Sequence, residues 1–203
     1  MTLQTRTTAL ESVNTILSTI GEAPISSLTG TLPVDAVMAL SVLNEINREV
    51  QSQAWHFNTH HKAVLSLDTN NKIPLAINTL RVELNPYKYS RADYDIVQRG
   101  NFLYNLSTNS DIFASTIAEA TVVYLLPYDD IPEQAKRYIT IRASRVFHDR
   151  TLGATTLHKF ALEDELKSLV VLRQAESATG EHSIFDSPEQ AYTVTRTTGN
   201  WWY

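Results

Sequence analysis

Residues 43–65 read LNEINREVQSQAWHFNTHHKAVL, and a change of pattern inside them decides the fold. As far as Gln53 the apolar positions keep helical spacing. Leu40, Leu43, Ile46 and Val50 line one face of a segment that starts near Val34 and holds no Gly or Pro in its interior. From Trp55 to Leu126, short runs rich in Val, Ile, Leu, Tyr and Phe alternate with turn clusters such as Asp68-Thr69-Asn70-Asn71 and Arg99-Gly100-Asn101. The expected strands are Ala63–Leu67, Leu80–Leu84, Tyr94–Gln98, Phe102–Asn105 and Ala120–Leu126, with Arg99-Gly100-Asn101 as a hairpin connection and 109–116 as loop.

On either side of this β region the chain reads as helix. Thr8 followed by Glu11 is a capping-box pattern, in which hydroxyl and carboxylate satisfy free backbone amides. Leu10, Val13, Ile16, Leu17 and Ile20 follow on one face, Gly21 offers a left-handed stop, and Pro24 blocks resumption. A third helix is expected from Asp130 to about Leu152, with Pro132 just inside its start and Gly153 after it. A fourth runs from Thr155 or Thr156 to about Ala178 on a seam of Leu162, Leu166, Leu169 and Val170, ending at Gly180. The reading is an α+β fold. A four-helix bundle is built from residues 1–54 and 128–180, an antiparallel β region over 55–127 is inserted between helices two and three, and an extended C-terminal tail covers 181–203.

Composition narrows the function classes. Across 203 residues there is no cysteine, which removes disulfides, thiol catalysis and cysteine zinc sites together. The formal charge is −5, with −3 over residues 1–53, zero over 54–178 and −2 over 179–203, a poor match for a DNA-gripping protein. No apolar run reaches the roughly 20 residues of a membrane span. Residues 1–20, which carry Arg6 and Glu11, read as neither signal peptide nor anchor. The expected product is a soluble, mildly acidic globular protein.

Residue constellations with chemical potential are few. His56, His60 and His61 form the densest set of metal-type ligands; a strand would put His56 and His60 on one side, but no third ligand is evident and a polar strand is the better reading. Gly-rich phosphate loops and the GxSxG elbow are absent. Asp129 and Asp130 are a conceivable glycosidase pair, though two acids before a helix ordinarily serve as cap and dipole partners. Glu45 and Glu49, four apart on the exposed side of the second helix, read as a solvated face. The third helix carries Lys136, Arg137, Arg142, Arg145 and Arg150 around much of its circumference, which suits salt bridges to neighbouring helices or subunits better than a groove-reading stripe. Trp201-Trp202-Tyr203, at the end of a polar stretch, has the character of an interface anchor.

Several segments together resemble the tail tubular protein A family, the head-to-tail adaptors of short-tailed bacteriophages. They are Ile20-Gly21-Glu22-Ala23-Pro24, Gly30 through Asp35, and Arg48 through Thr59; further on come Tyr124 through Pro132, then Arg137-Tyr138-Ile139 and Arg142-Ala143-Ser144-Arg145. The resemblance covers approximately residues 8 to 175. It implies a non-enzymatic virion protein without metal or cofactor. Such a protein forms a homo-oligomeric ring, a dodecamer, between the capsid portal and the tail nozzle (the tail tubular protein B type), and genomic DNA passes through the ring during ejection without sequence-specific binding. The location implied is the phage tail, after assembly in the host cytoplasm, with no membrane contact. Within that frame Trp201, Trp202 and Tyr203 are expected to dock on the portal, and Arg137, Arg142, Arg145 and Arg150 to lie between subunits or near DNA. A tail-associated hydrolase of host glycans is the competing expectation, and a plug that stops the neck is a third.

Overall fold

The computed structural model describes residues 5–153 and 155–179. Four helices, α1 (Ala9–Ser18), α2 (Val34–Gln51), α3 (Glu133–Thr151) and α4 (Thr155–Thr179), accompany five strands: β1 (Thr59–Leu65), β2 (Thr79–Leu84), β3 (Ile96–Arg99), β4 (Phe102–Asn105) and β5 (Ile117–Tyr124). The fold is mixed α+β with antiparallel sheets.

Local signals set the ends of α1. The Thr8 hydroxyl accepts from the Glu11 amide while the Glu11 carboxylate accepts from the Thr8 amide, the expected capping box. At the other end Gly21 lies at φ +81°, and the Glu22 and Gly21 amides donate to the Leu17 and Ser18 carbonyls, the paired bonds of a Schellman stop. α2 ends at Gln51, two residues before the expected Gln53. Side chains claim its last carbonyls: the Trp55 indole donates to Val50 O at 2.7 Å and the Asn58 amide to Gln51 O at 2.9 Å. α3 begins at Glu133 rather than Asp130, because Tyr128–Asp130 form a 3₁₀ turn and Pro132 occupies the N-cap position instead of lying inside the helix. The first acid of that turn serves another helix: Asp129 Oδ1 accepts from the Ala9 amide at the start of α1, 2.9 Å away.

The helices share one apolar cluster. Val13, Ile16 and Leu17 come from α1; Ala39, Leu43, Ile46 and Val50 from α2; Ala135, Ile139 and Phe147 from α3. From α4, Leu172 is buried in the cluster and Leu169 is half-buried against it. Thr7 meets Glu133 and Ser12 meets Tyr128 and Thr140, so α1 runs alongside α3 in the same direction. Glu49 meets Arg142 and Glu45 meets Arg150, so α2 runs against it. A buried polar knot reinforces the contact of α1 with α3. The Tyr128 hydroxyl lies 2.8 Å from both Ser12 Oγ and Thr140 Oγ1, and burial pushes its pKa above the ordinary value. Beside it Lys136, 1% exposed, donates from Nζ to the carbonyls of Thr7 (2.8 Å) and Asp129 (2.9 Å).

A second apolar cluster, including Leu65, Ile73, Leu103, Phe113 and Ile117, belongs to the β region. Its sheet has the order β1-β5-β2, all antiparallel, and β3-β4 form a separate hairpin. Arg99 pairs with Phe102, leaving Gly100-Asn101 as a two-residue turn with Gly100 at φ +59°. β1 starts four residues before the expected Ala63. Its polar opening, Thr59-His60-His61-Lys62, lies on an edge strand, where apolar alternation is not required. β5 ends at Tyr124 because the next two amides are taken elsewhere: Leu125 N by Asn78 O and Leu126 N by Gln51 Oε1.

That last bond belongs to a latch at the boundary between helices and strands. Gln51 is fully buried, and its Nε2 donates to Asn47 Oδ1 and to Leu126 O, both at 2.9 Å. Asn58 Nδ2 donates to Gln51 O and to Tyr124 O at 2.8 Å. Both chain crossings, out through 52–58 and back through 125–127, are thereby tied together by amide side chains.

Candidate assembly surfaces

A charged seam joins α3 to both helices that flank it on this side. Arg142 reaches Glu49 of α2 at 2.5 Å and lies 3.7 Å from Glu165 of α4. Arg145 pairs with the same Glu165 at 2.5 Å and with Asp149 at 3.2 Å, and Arg150 makes a two-pronged contact with Glu45 at 2.7 and 2.8 Å. The Arg145–Glu165 pair is largely inside, with side chains 18% and 10% exposed. Its hydrogen bond raises the Arg145 pKa against the opposing pull of burial. Glu45 is held below the ordinary carboxylate value by the hydrogen bond from Arg150. The solvated-face reading of Glu45 and Glu49 is therefore corrected: each is the counter-charge of an α3 arginine. Their spacing of four against arginines eight apart was the available signal, but it needed the helices to be known as antiparallel neighbours.

α4 presents the largest departure from expectation. The seam read from sequence faces outward: Leu162, Leu166 and Val170 are 40%, 55% and 52% exposed, and only Leu169 is half-buried. The buried face carries Glu165, Ser168 and Leu172 instead. Both sets have helical spacing, and α3 selects the second because its arginines need Glu165. An apolar stripe that no other described residue covers is left on the surface.

On the other flank of α4 lies a groove of about 590 Å³ between α1, α3 and α4. Its floor is α3, through Arg137, Ile141, Ser144 and His148, and its walls include Thr15 and Val171. Arg137 is exposed and has no ion pair among the described residues, unlike Arg142, Arg145 and Arg150.

The remaining candidates are dispersed. His56 lies in a 3₁₀ turn (His56–Asn58) and the strand begins only at Thr59, so the strand geometry expected to align His56 with His60 does not form. His60 packs edge-on against Tyr124 at 4.9 Å, and His61 Nδ1 lies 3.5 Å from Thr121 Oγ1. Among the described residues no three His, Asp or Glu side chains stand close enough to hold a metal ion. No helix among them is long and apolar enough to cross a membrane. Gly180 and the anchor candidates Trp201, Trp202 and Tyr203 lie outside the described residues.

Gln51, Asn58, Lys136, Tyr128 and Glu165 thus spend their polar groups on the chain's own backbone and side chains, while apolar surface is left outside. This is the character of a structural assembly protein. The chain belongs to the tail tubular protein family of phages, whose family model matches residues 10–182. None of the curated proteins matches it. The family is structural and places the chain in the phage tail, within tail complexes.

Proposed function

We propose that this protein is a ring-forming adaptor that joins the capsid portal to the tail nozzle, works by binding rather than catalysis, and lets genomic DNA pass during ejection. The observation that carries the reading is the outward stripe of Leu162, Leu166 and Val170. A helix that spends its polar face on its own chain and turns its apolar face to water needs another surface to cover it. A ring of identical copies, a dodecamer in this reading, supplies one to every subunit. The four helices act as a bundle, residues 1–54 and 128–180, that makes the ring; the β region, 55–127, faces the nozzle; and the tail, 181–203, docks on the portal through Trp201, Trp202 and Tyr203. A net charge of −5 suits a channel wall along which phosphates must slide. The competing glycan hydrolase gains nothing from Asp129, whose carboxylate is engaged by the α1 N-terminus.

Native mass measurement of the purified chain, alone and with portal, tests the proposal. Assembly into a closed oligomer, on its own or on the portal, is the expected result. A strict monomer that ignores portals overturns it. Deleting residues 199–203 is expected to weaken portal attachment while rings still form; unchanged attachment removes the tail from the scheme.

A further inference from the structure

We propose that the groove between α1, α3 and α4 is a socket for the N-terminal corner of α2 from a second copy of this chain, so that the contact repeats head-to-tail. The proposal rests on the ring reading above and names one pair of surfaces in that ring, distinct from the α4 stripe.

The groove is an incomplete polar site. Ser144 Oγ and His148 Nε2 are buried and have no hydrogen-bond partner, although buried polar atoms are nearly always satisfied. Both residues are more than nine-tenths buried, and both line the groove. The exposed, unpaired Arg137 stands on the same face of α3, since 137, 141, 144 and 148 recur at helical spacing. The lining also holds Arg145, already paired with Glu165, and Asp164 with Lys167, which face each other at 4.0 Å; Arg137 and the two orphaned polar atoms remain to call for an oxygen-bearing acidic group. The apolar surface of Ile141 and Val171 calls for aliphatic side chains next to it. At about 590 Å³ the space is far larger than a single ion needs and suits a corner of folded chain.

The first turns of α2 carry that combination. Val34, Val37 and Met38 are all exposed large apolar residues, and Asp35 stands among them in the first turn. Asp35 has no ion pair or side-chain hydrogen bond among the described residues, so its carboxylate is available for Arg137. The two surfaces also lie on opposite flanks. α2 packs on the side of α3 that carries Arg150 to Glu45, and Arg150 lies two residues beyond His148, about 200° around the helix from the groove. A copy can therefore offer its α2 corner to one neighbour and its groove to another. Such a contact is heterologous, and heterologous contacts close into rings when the rotation allows.

Because the chain has no cysteine, introduced thiols report this contact directly. Met38→Cys and Val171→Cys, made singly and mixed under mild oxidation, are expected to give a disulfide-linked heterodimer, and the double variant a ladder of linked oligomers. In parallel, Asp35→Arg and Arg137→Asp are each expected to raise the concentration for half-assembly by about tenfold or more, the scale of one lost charge-assisted contact. Combining both substitutions in one chain restores the charge pair and is expected to restore assembly, a rescue that a misfolded variant cannot show. A parent chain that stays monomeric with and without portal overturns the ring reading and this contact with it. A parent that assembles while both charge variants assemble equally well, with no crosslink in the cysteine mixture, overturns the contact alone.

Discussion

α2 and α4 flank the same central helix and treat it in opposite ways. α2 turns Ala39, Leu43, Ile46 and Val50 inward, and its Glu45 and Glu49 reach α3 arginines from the half-exposed rim. α4 turns Glu165 and Ser168 inward beside Leu172 and leaves Leu162, Leu166 and Val170 outside. One helix is held by apolar burial with charges at the edge; the other is held by a charge at the centre with apolar surface to spare. The difference teaches that the interior of this chain does not use up its hydrophobic surface, and that α4 carries part of the surplus as a continuous stripe.

Removing the charge at the centre should break the comparison on the α4 side. Glu165→Ala leaves Arg145 and Arg142 without the acid between them, and is expected to cost about 3 kcal/mol in chemical denaturation. That is the lower edge for one-sided loss of a buried pair, because Arg145 keeps some access to water. Truncations of matching leucines then sharpen the contrast. Leu43→Ala, at a fully buried α2 position, should cost about 2–5 kcal/mol through lost transfer and a cavity. Leu166→Ser on α4 should change stability by no more than about 0.5 kcal/mol, yet impair assembly in the native mass measurement. Equal destabilisation by the two would show the α4 stripe to be core. The smallest effect belongs to the rim. Glu45 titrates below its ordinary 4.5 in the folded chain, so the stability it contributes is complete above that value and lost as the pH falls through the lower folded value. Glu45→Gln should therefore separate from the parent in urea midpoint at pH 7, and the gap should close as the pH falls below the ordinary carboxylate value.

Legibility followed the range of the interaction. The capping box of Thr8 and Glu11 and the stop at Gly21 act within a few residues and could be read from the chain directly. The hairpin at Gly100 was legible for the same reason. Periodicity announced α4 but could not choose between two helical stripes, since the choice depends on Arg142 and Arg145 of another helix. Asp129 looked like a cap for the helix that follows it, but its partner amide is 120 residues away. The orphaned Ser144 and His148 carry no sequence signal, because a missing partner is visible only once every neighbour is in place.

The amide latch has a mechanical consequence. The β region is joined to the helices by two chain crossings, and Gln51 and Asn58 bond across them within a few ångströms. Tension applied to the β region is therefore divided between two covalent strands acting in parallel, and the side-chain amides resist the shear that would let one strand slip past the other. Neither crossing acts as a lone tether, so the side-chain amides resist hinge motion between the β region and the helices.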